Sequence, residues 1–212
     1  VQNFVDDCIV ASDSYEQHAA DVKLVLEKLT SVNLIVNPQK CAWFQHSVRL
    51  LGFVVSERGI RVDRNKLTNV KQWPLPNKSC KQVQQFLGLI NYFREFIPMI
   101  SQVAEPISRL SHAKDVEHLW GEEQTRSFNA LKDILQSNLV LSYPDLNKEF
   151  YVATDASLYG VGAVLFQKDE KGRDKYISFI SVSLSPSQRR WGITKRELYG
   201  LVVALKKFRK FL

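Results

Sequence analysis

The spacing of hydrophobic residues divides the chain into a strand-rich beginning, a helical middle and an end where strands return. In the beginning, turn residues break up the apolar runs, which predicts a helix at 14–29 among strands at 2–12, 33–36, 48–56 and 60–62. In the middle, apolar positions recur three and four residues apart, which predicts helices at 63–73, 79–96, 104–110 and 122–137. The end predicts strands at 150–167 and 176–182 and a helix from residue 194. The expected fold class is therefore α+β.

Several predicted helices begin at residues that cap helices well. Ser14, Ser79 and Thr194 each precede a Gln or Glu by three residues, which is the spacing of a capping box, and Asp63 caps a further helix. In the Thr194 box the acidic partner is Glu197, which we therefore expect in the first turn of the last helix. Apolar residues at helical spacing follow it and form one stripe: Leu198, Leu201, Val202 and Leu205.

Residues 150–167 read as a strand, a tight corner and a second strand. Asp155 falls at the end of the first strand, where a mixed sheet often carries a site carboxylate. An Asp-Ala-Ser triplet is also an ordinary turn sequence, so a simple capped turn is the alternative interpretation. Gly160 and Gly162 then interrupt an apolar run, as glycines do where a strand bends or another part of the chain comes close.

An Asp-Asp pair, Asp6 and Asp7, lies in the apolar run at the start of the chain. In a flat strand the two side chains face opposite ways, so they serve one site only at the tip of a hairpin. Buried carboxylates without partners are costly. The pair therefore either binds a cation at such a tip or is exposed in a turn.

Composition excludes several classes of protein. The 212 residues are 45% hydrophobic, enough for a sizeable core in one or two domains, and no stretch is apolar enough to span a membrane. The cysteines, Cys8, Cys41 and Cys80, have no spacing typical of zinc ligands, so we expect a reduced, intracellular protein that is not secreted. Position 1 is not Met, and the sequence stops inside a helical pattern, which favours a piece of a longer protein.

Positive charge is concentrated at the end of the chain. Residues 189–212 hold eight basic residues and one acidic residue, a local excess equal to the +7 net charge of the whole chain. A solvated helix face is one interpretation of such a run, and a surface that contacts phosphates is the other. In the second interpretation the contacting residues are Arg189, Arg190, Lys195, Arg196, Lys206 and Lys207.

Two motifs at the end of the chain resemble the ribonuclease H domain of gypsy-like LTR retrotransposon polyproteins. They are TDAS–GVGAVL, within residues 154–165, and TKREL–ALKKFRKFL, within residues 194–212. The resemblance implies that Asp155 and Glu197 are the first two carboxylates of a ribonuclease H site.

Motifs nearer the start resemble the reverse transcriptase of the same polyproteins. Phe4-Val5-Asp6-Asp7 is similar to the family's Tyr-x-Asp-Asp motif, and the change of Tyr to Phe removes no metal ligand. Two further strings, NPQKCAWF…LLGFVVSERGIRVD and QVQQFLGLINYFREFIP, resemble the end of the palm with its primer-grip hairpin and the thumb helix. The implied order is partial palm hairpins at 1–62, a helical thumb and linker at 63–147, and the first part of a ribonuclease H-like mixed sheet with its first helix at 148–212.

The resemblance also implies chemistry and partners. The parent protein copies RNA into DNA and cleaves the RNA strand of the hybrid, with Mg²⁺ (or Mn²⁺) on Asp6, Asp7, Asp155 and Glu197. Each site lacks further ligands in this chain, so we expect weak or absent metal binding and no activity as it stands. The partners implied are an RNA–DNA hybrid or duplex nucleic acid, without a membrane, and the rest of the pol polyprotein on both sides. In the thumb, the residues expected near phosphates are Lys71, Lys78, Lys81 and Arg94.

Other functional classes remain open at this point. The alternative is a non-catalytic nucleic-acid-binding remnant of a retroelement, which would use the thumb and the basic helix alone. A protein-interaction module is a third possibility. The expected location is a cytoplasmic particle or the nucleus.

Overall fold

The structure of the protein is a computed structural model that describes residues 1–4, 7–137 and 140–212. It contains two compact units, Val1–Glu57 and Arg58–Leu212. No helix in the described part of the chain is long and apolar enough to cross a membrane.

The first unit contains two hairpins and one long helix. Its elements are β1 (Gln2–Phe4), β2 (Asp7–Ile9), α1 (Tyr15–Ser31), a 3₁₀ turn (Pro38–Lys40), β3 (Ser47–Leu50) and β4 (Phe53–Ser56). Strands β1 and β2 pair antiparallel with Phe4 opposite Asp7. Helix α1 begins as predicted, because the Ser14 hydroxyl accepts a hydrogen bond from the Gln17 amide.

The predicted strand at 33–36 is wrong. Asn33 has a backbone φ of 60°, in the left-handed region, directly after α1. The amides of Asn33 and Leu34 donate back to the carbonyls of Thr30 and Leu29, at 3.0 Å each. This is a Schellman motif, in which Asn is a favoured residue, so the segment closes the helix instead of starting a strand.

The predicted single strand at 48–56 is wrong in form, because it folds as the hairpin of β3 and β4. Leu50 pairs with Phe53, and the two residues between them, Leu51 and Gly52, have φ values of 49° and 74°. Two positive φ angles define a type I′ turn, whose twist matches that of the flanking strands. The Leu-Gly-Phe hairpin expected from the resemblance is therefore present.

The second unit begins with a strand and a set of helices. These are β5 (Gly59–Val62), α2 (Arg64–Lys71), α3 (Cys80–Tyr92), a 3₁₀ turn (Arg94–Phe96), α4 (Ile100–Val103), α5 (Glu105–Ser108), α6 (Val116–Leu119) and α7 (Glu122–Gln136). The predicted caps Asp63 and Ser79 accept hydrogen bonds from the amides of Asn65 and Gln82. The predicted helix at 104–110 is confirmed only in part, because it is the single turn α5.

The apolar faces of these helices form a continuous core. Phe86, Ile90, Ile107 and Leu131 are almost completely buried. The ring of Phe86 lies 4.8 Å from that of Phe128, centre to centre, and Phe128 is also buried, so both rings belong to this core. Burial of large side chains of this kind provides most of the stability of a helical layer.

The rest of the second unit is a sheet with helices. Its elements are β6 (Val140–Leu141), β7 (Tyr151–Ala156), β8 (Gly160–Lys168), β9 (Asp174–Ser183), α8 (Pro186–Arg189) and α9 (Ile193–Phe208). Strand β6 pairs with β5, while β7, β8 and β9 form an antiparallel sheet in that order. The strands predicted around residues 150–167 and 176–182 are therefore confirmed.

The two faces of β8 have different partners. On one face Val161, Ala163 and Leu165 lie under α9, and Ala163 and Leu165 share a core with Ala204 and Phe208. The alternation of side chains along the strand places Gly160 and Gly162 on the opposite face.

The glycine face of β8 receives the loop that leads into α4. A Cβ at Gly162 would overlap the Met99 sulfur, and one at Gly160 would lie 2.8 Å from the Ser101 Cβ. The predicted close approach at these glycines is confirmed. The Ser101 hydroxyl also accepts a 2.6 Å hydrogen bond from the Ser181 hydroxyl of β9, so the helices and the sheet are joined within this unit.

Candidate nuclease site

The N-cap of the last helix lies two residues earlier than the sequence predicts, at Gly192 instead of Thr194. Helix α9 starts at Ile193 with Gly192 as its N-cap, and the Gly192 carbonyl accepts from the amides of Lys195 and Arg196 at 3.2 Å. The predicted Thr194–Glu197 capping box is therefore wrong, and Glu197 is the fifth helical residue. Glycine is itself an acceptable N-cap, so the box pattern competed with a nearby alternative that the fold uses.

The buried face of α9 consists of two small residues and a phenylalanine at four-residue spacing. Gly200 and Ala204 are buried with Phe208, while the predicted apolar stripe is largely exposed: Leu198 60%, Leu201 42%, Val202 40% and Leu205 48%. A Cβ added at Gly200 would lie only 3.5 Å from that of Val161. Small side chains thus let the helix axis approach β7 and β8 closely.

Asp155 lies next to the end of β7, as predicted, and its side chain is exposed. One carboxylate oxygen, Oδ1, accepts a 2.9 Å hydrogen bond from the amide of Ala156. The other oxygen, Oδ2, accepts no hydrogen bond from the described residues.

The turn after Asp155 is organised by Ser157. Its hydroxyl accepts from the amides of Tyr159 and Gly160, at 3.2 and 3.0 Å, and its own amide donates to the Gly160 carbonyl at 2.8 Å. The Ser157 carbonyl accepts a 2.7 Å hydrogen bond from Nη1 of Arg196 on α9. Arg196, which directly precedes Glu197, is thereby bonded to Ser157, which follows Asp155 by two residues.

The structure therefore brings Asp155 and Glu197 to neighbouring elements. Helix α9 packs on β7 and β8, and Gly200 comes close to the Asp155 carbonyl. Glu197 is partly buried, and its carboxylate has no hydrogen-bond or ion-pair partner among the described residues. Two carboxylates suit Mg²⁺, which binds oxygen ligands and is often held by one or two carboxylates together with substrate phosphates. Within the described ranges, no group of three or more His, Cys, Asp or Glu side chains is arranged to hold a metal ion.

The Asp-Asp pair of the first unit is described only in part. Asp6 lies outside the described residues. Asp7 is exposed at the first position of β2, opposite Phe4 in the hairpin.

Several of the basic residues predicted to contact phosphates are engaged within the protein. Lys78 forms a 2.6 Å ion pair with Glu117, and Arg94 donates to the Ser181 carbonyl at 2.8 Å. Arg196 bonds Ser157 as described above. Two more interact locally: Arg189 donates to the Leu184 carbonyl at 3.1 Å, and Lys195 lies 4.4 Å from the ring centre of Trp191.

The remaining members of that set are available to a partner. Their side chains are exposed and form no ion pair or hydrogen bond within the part of the chain that the structure describes: Lys71, Lys81, Arg190, Lys206 and Lys207. They are the residues of the set best suited to contact an anionic polymer.

Sequence reasoning missed a buried charge beside the sheet. Glu105 is 5% exposed, with Nε of Arg109 at 2.8 Å from one carboxylate oxygen and Nη1 of Arg189 at 3.7 Å from the other. Arg189 thus belongs in part to a contact between α5 and α8. The Glu105–Arg109 pair has ordinary helical spacing and looks like a pair on a helix surface. The burial of Glu105 and its contact with the distant Arg189 could not be read from the sequence.

Both parts of the chain match known protein families. Residues 120–212 match the family described as RNase H-like domain found in reverse transcriptase, and residues 1–55 match Reverse transcriptase (RNA-dependent DNA polymerase). The Tf2-3 and Tf2-7 transposon polyproteins of Schizosaccharomyces pombe (strain 972) are 36% and 35% identical over 209 residues. These matches cover 99% of this chain but only 16% of each polyprotein, so the chain spans about a sixth of the length of these relatives.

Solved structures of similar fold come from foamy virus. The foamy viral protease-reverse transcriptase in complex with RNA/DNA hybrid matches with a TM-score of 0.78 and 22% identity, over 95% of this chain and 27% of that chain. A second structure of that protein, in complex with ds DNA, gives 0.80 and 22% over 95% and 35%.

The first unit has palm-like hairpins, and the second has a helical region followed by a sheet that carries Asp155 and packs against the helix of Glu197. Together these features match part of a reverse transcriptase followed by a ribonuclease H-like domain. This agrees with the fold class that the sequence predicts. The chain belongs to the polyproteins of gypsy-like LTR retrotransposons.

Proposed function

We propose that this segment serves a retroelement enzyme that copies RNA into DNA and cleaves the RNA strand of the resulting hybrid. Asp155 and Glu197 are the first carboxylates of its ribonuclease H centre, and Asp6 and Asp7 belong to its polymerase centre. The observation that carries the proposal is the packing of α9 on β7, with the Arg196–Ser157 hydrogen bond between them.

The two carboxylates have complementary roles in this proposal. Asp155 keeps Oδ1 on the backbone and offers Oδ2 to a cation, while Glu197 offers a carboxylate without a competing partner among the described residues. A divalent cation bound there supplies charge that stabilises phosphoryl transfer and activates water. Two carboxylates are fewer than a two-metal centre uses, so the 212-residue chain alone is expected to bind Mg²⁺ or Mn²⁺ weakly and to cleave nothing.

The proposed substrate is an RNA–DNA hybrid. Similarity of fold to a protein that is in complex with RNA/DNA hybrid supports it, as does the set of exposed, unpaired basic residues on the second unit. A phosphate backbone is the partner such residues bind without regard to sequence.

Metal binding by the chain itself tests the site. We expect Mn²⁺ to broaden the backbone NMR signals of Asp155, Ala156 and Glu197 selectively, because a paramagnetic ion relaxes nearby nuclei. Asp155→Asn and Glu197→Gln should each abolish this broadening, whereas Glu170→Gln, which changes an exposed acid in the β8–β9 turn, should not. Equal broadening in all three variants would contradict the assignment.

Cleavage tests the activity. In a protein that joins this chain to complete polymerase and ribonuclease H domains, Asp155→Asn should reduce Mg²⁺-dependent hydrolysis of a labelled hybrid to background while hybrid binding persists. If the joined protein binds the hybrid but neither cleaves it nor binds Mn²⁺, the chain is the non-catalytic nucleic-acid-binding remnant.

A further inference from the structure

We propose that Arg196 is a positioning residue for the Asp155–Glu197 pair and does not contact nucleic-acid phosphates. The inference rests on the proposed function of that pair. It replaces the phosphate contact that the basic run of the sequence predicts for this residue.

The first observation is the place where the guanidinium is bonded. Nη1 of Arg196 donates at 2.7 Å to the carbonyl of Ser157, the residue whose hydroxyl and amide hold the turn after Asp155 together. Arg196 precedes Glu197 directly, and Ser157 follows Asp155 by two residues. One hydrogen bond therefore connects the backbone segments that carry the two carboxylates.

The second observation is the burial of the same side chain. Nε of Arg196 is buried and has no hydrogen-bond partner among the described residues, although the residue as a whole is only partly buried. A buried donor without a partner is unfavourable, and such an exception calls for an explanation. An arginine that binds phosphates uses its planar fork of N–H donors, and in Arg196 two nitrogens of that fork are withdrawn: Nε is buried, and Nη1 is bonded to Ser157.

Arg190 provides the contrast. Its side chain is exposed and makes no hydrogen bond or ion pair with the described residues, although it belongs to the same basic run. Two arginines close in sequence thus have different environments: Arg190 is available to a phosphate, and Arg196 is committed to the turn.

The positioning role predicts which property changes when Arg196 is replaced. Without the bond to Ser157, the turn is free to move relative to α9, and the two carboxylates no longer hold a fixed separation. Loss of a residue that orients a metal ligand typically lowers metal affinity by about 10–100-fold. Binding to a duplex should be unaffected, because no phosphate contact is lost.

The test uses the 212-residue chain with two probes. Mn²⁺ reports on the carboxylate pair, and a duplex of arbitrary base sequence reports on phosphate contacts. Arg196→Ala and Arg196→Lys should both weaken Mn²⁺ binding by about 10–100-fold and speed amide hydrogen exchange at residues 157–160. Exchange at Ala204, in the buried face of α9, should stay unchanged and serves as the internal measure of global folding. The salt dependence of duplex binding should remain that of the parent.

Arg190→Ala is the matched control. It should keep Mn²⁺ affinity and turn exchange, and reduce the slope of log K against log salt by about 0.9, the value for one phosphate contact. Arg196→Lys separates the two roles, because it keeps the charge that a phosphate needs but removes the planar fork of donors.

Three results would overturn the inference. One is a loss of salt slope in Arg196→Ala that Arg196→Lys restores, since that pattern identifies a phosphate contact. Another is unchanged turn exchange with unchanged Mn²⁺ affinity. If the parent chain binds no Mn²⁺, the proposed function fails, and the inference is then decided by amide hydrogen exchange alone. Faster exchange at residues 157–160 in the Arg196 variants supports the positioning role. Unchanged exchange there is the third result that overturns it.

Discussion

Leu51 adopts a backbone conformation that residues with a side chain seldom take. Its φ of 49° lies in the left-handed region, where a Cβ approaches the following carbonyl at a cost of about 1–2 kcal/mol. Asn and Gly are the residues preferred at this position of a type I′ turn. We expect Leu51→Asn to raise the free energy of unfolding by about 0.5–1 kcal/mol, measured by urea denaturation with NMR signals of β3 and β4 as the probe.

Gly52 supplies the control for that prediction. Its φ of 74° makes Gly52→Ala unfavourable in the same turn, so this variant should be destabilised while Leu51→Asn is stabilised. A loss of stability in Leu51→Asn would show that contacts of the leucine side chain outweigh the backbone strain.

At the scale of single residues, the sequence predicts where a residue lies in a strand or helix better than it predicts which groups its side chain bonds. Asp155 at a strand end and Gly162 at a close approach follow from local pattern, because both depend on strand geometry. The role of Arg196 does not follow, since a basic residue in a basic run looks the same whether it bonds a phosphate or the Ser157 carbonyl. That distinction exists only once β7 and α9 have come together.

At the scale of elements, α9 shows why hydrophobicity alone misplaces a helix face. The stripe of large apolar residues is conspicuous in the sequence, yet the face against the sheet is Gly200, Ala204 and Phe208. Small side chains at Gly200 and Ala204 allow α9 to approach β8 closely. A pattern of large hydrophobic residues gives no indication of such positions. The existence and type of this helix were predictable, while its first residue and its buried side were not.

The same packing gives a prediction at Gly200. A Cβ there would meet Val161 and the Asp155 carbonyl at 3.5 and 3.9 Å, which are ordinary contacts. Alanine is favoured over glycine inside a helix by about 0.8–1.0 kcal/mol. We therefore expect Gly200→Ala to stabilise the second unit by roughly that amount in chemical denaturation.

Gly160, on the sheet against which α9 packs, is the matched control. There a Cβ would lie 2.8 Å from the Ser101 Cβ and 3.0 Å from the Val182 carbonyl oxygen, closer than packed atoms tolerate. Overpacking of this kind costs about 1–3 kcal/mol, so Gly160→Ala should lower stability. Destabilisation by Gly200→Ala as well would mean that α9 sits closer to β7 than described.

At the scale of the whole molecule, contacts distant in sequence join the helical region and the sheet into the compact unit Arg58–Leu212. Met99 lies against Gly162, and both Ser101 and Arg94 hydrogen-bond to Ser181. The α+β class was predictable from the order of the elements. The joining of the two regions was not, because a methionine in a loop and a glycine in a strand carry no signal of each other.

Charge is the property of the whole molecule that bears on nucleic-acid binding. Among the basic residues predicted to contact phosphates, five have exposed side chains without a partner in the described part of the chain: Lys71, Lys81, Arg190, Lys206 and Lys207. If all of them contact a duplex, log K should fall against log salt with a slope of about −4.5, at about −0.9 per contact. We expect binding of this kind to be independent of base sequence, measured by fluorescence anisotropy over a series of salt concentrations.

A comparison of free and paired lysines makes the salt prediction specific. Lys206→Ala combined with Lys207→Ala should reduce the slope by about 1.8, because two counterion-releasing contacts are lost. Lys78→Ala should leave the slope unchanged, because Lys78 is held at 2.6 Å by Glu117, and that pairing already compensates its charge. An equal loss of slope in both variants would contradict this, since the Lys78–Glu117 pair would then open to let Lys78 bind the duplex. A slope that neither variant changes would place the phosphate contacts elsewhere, because total charge alone does not determine which lysines touch the backbone.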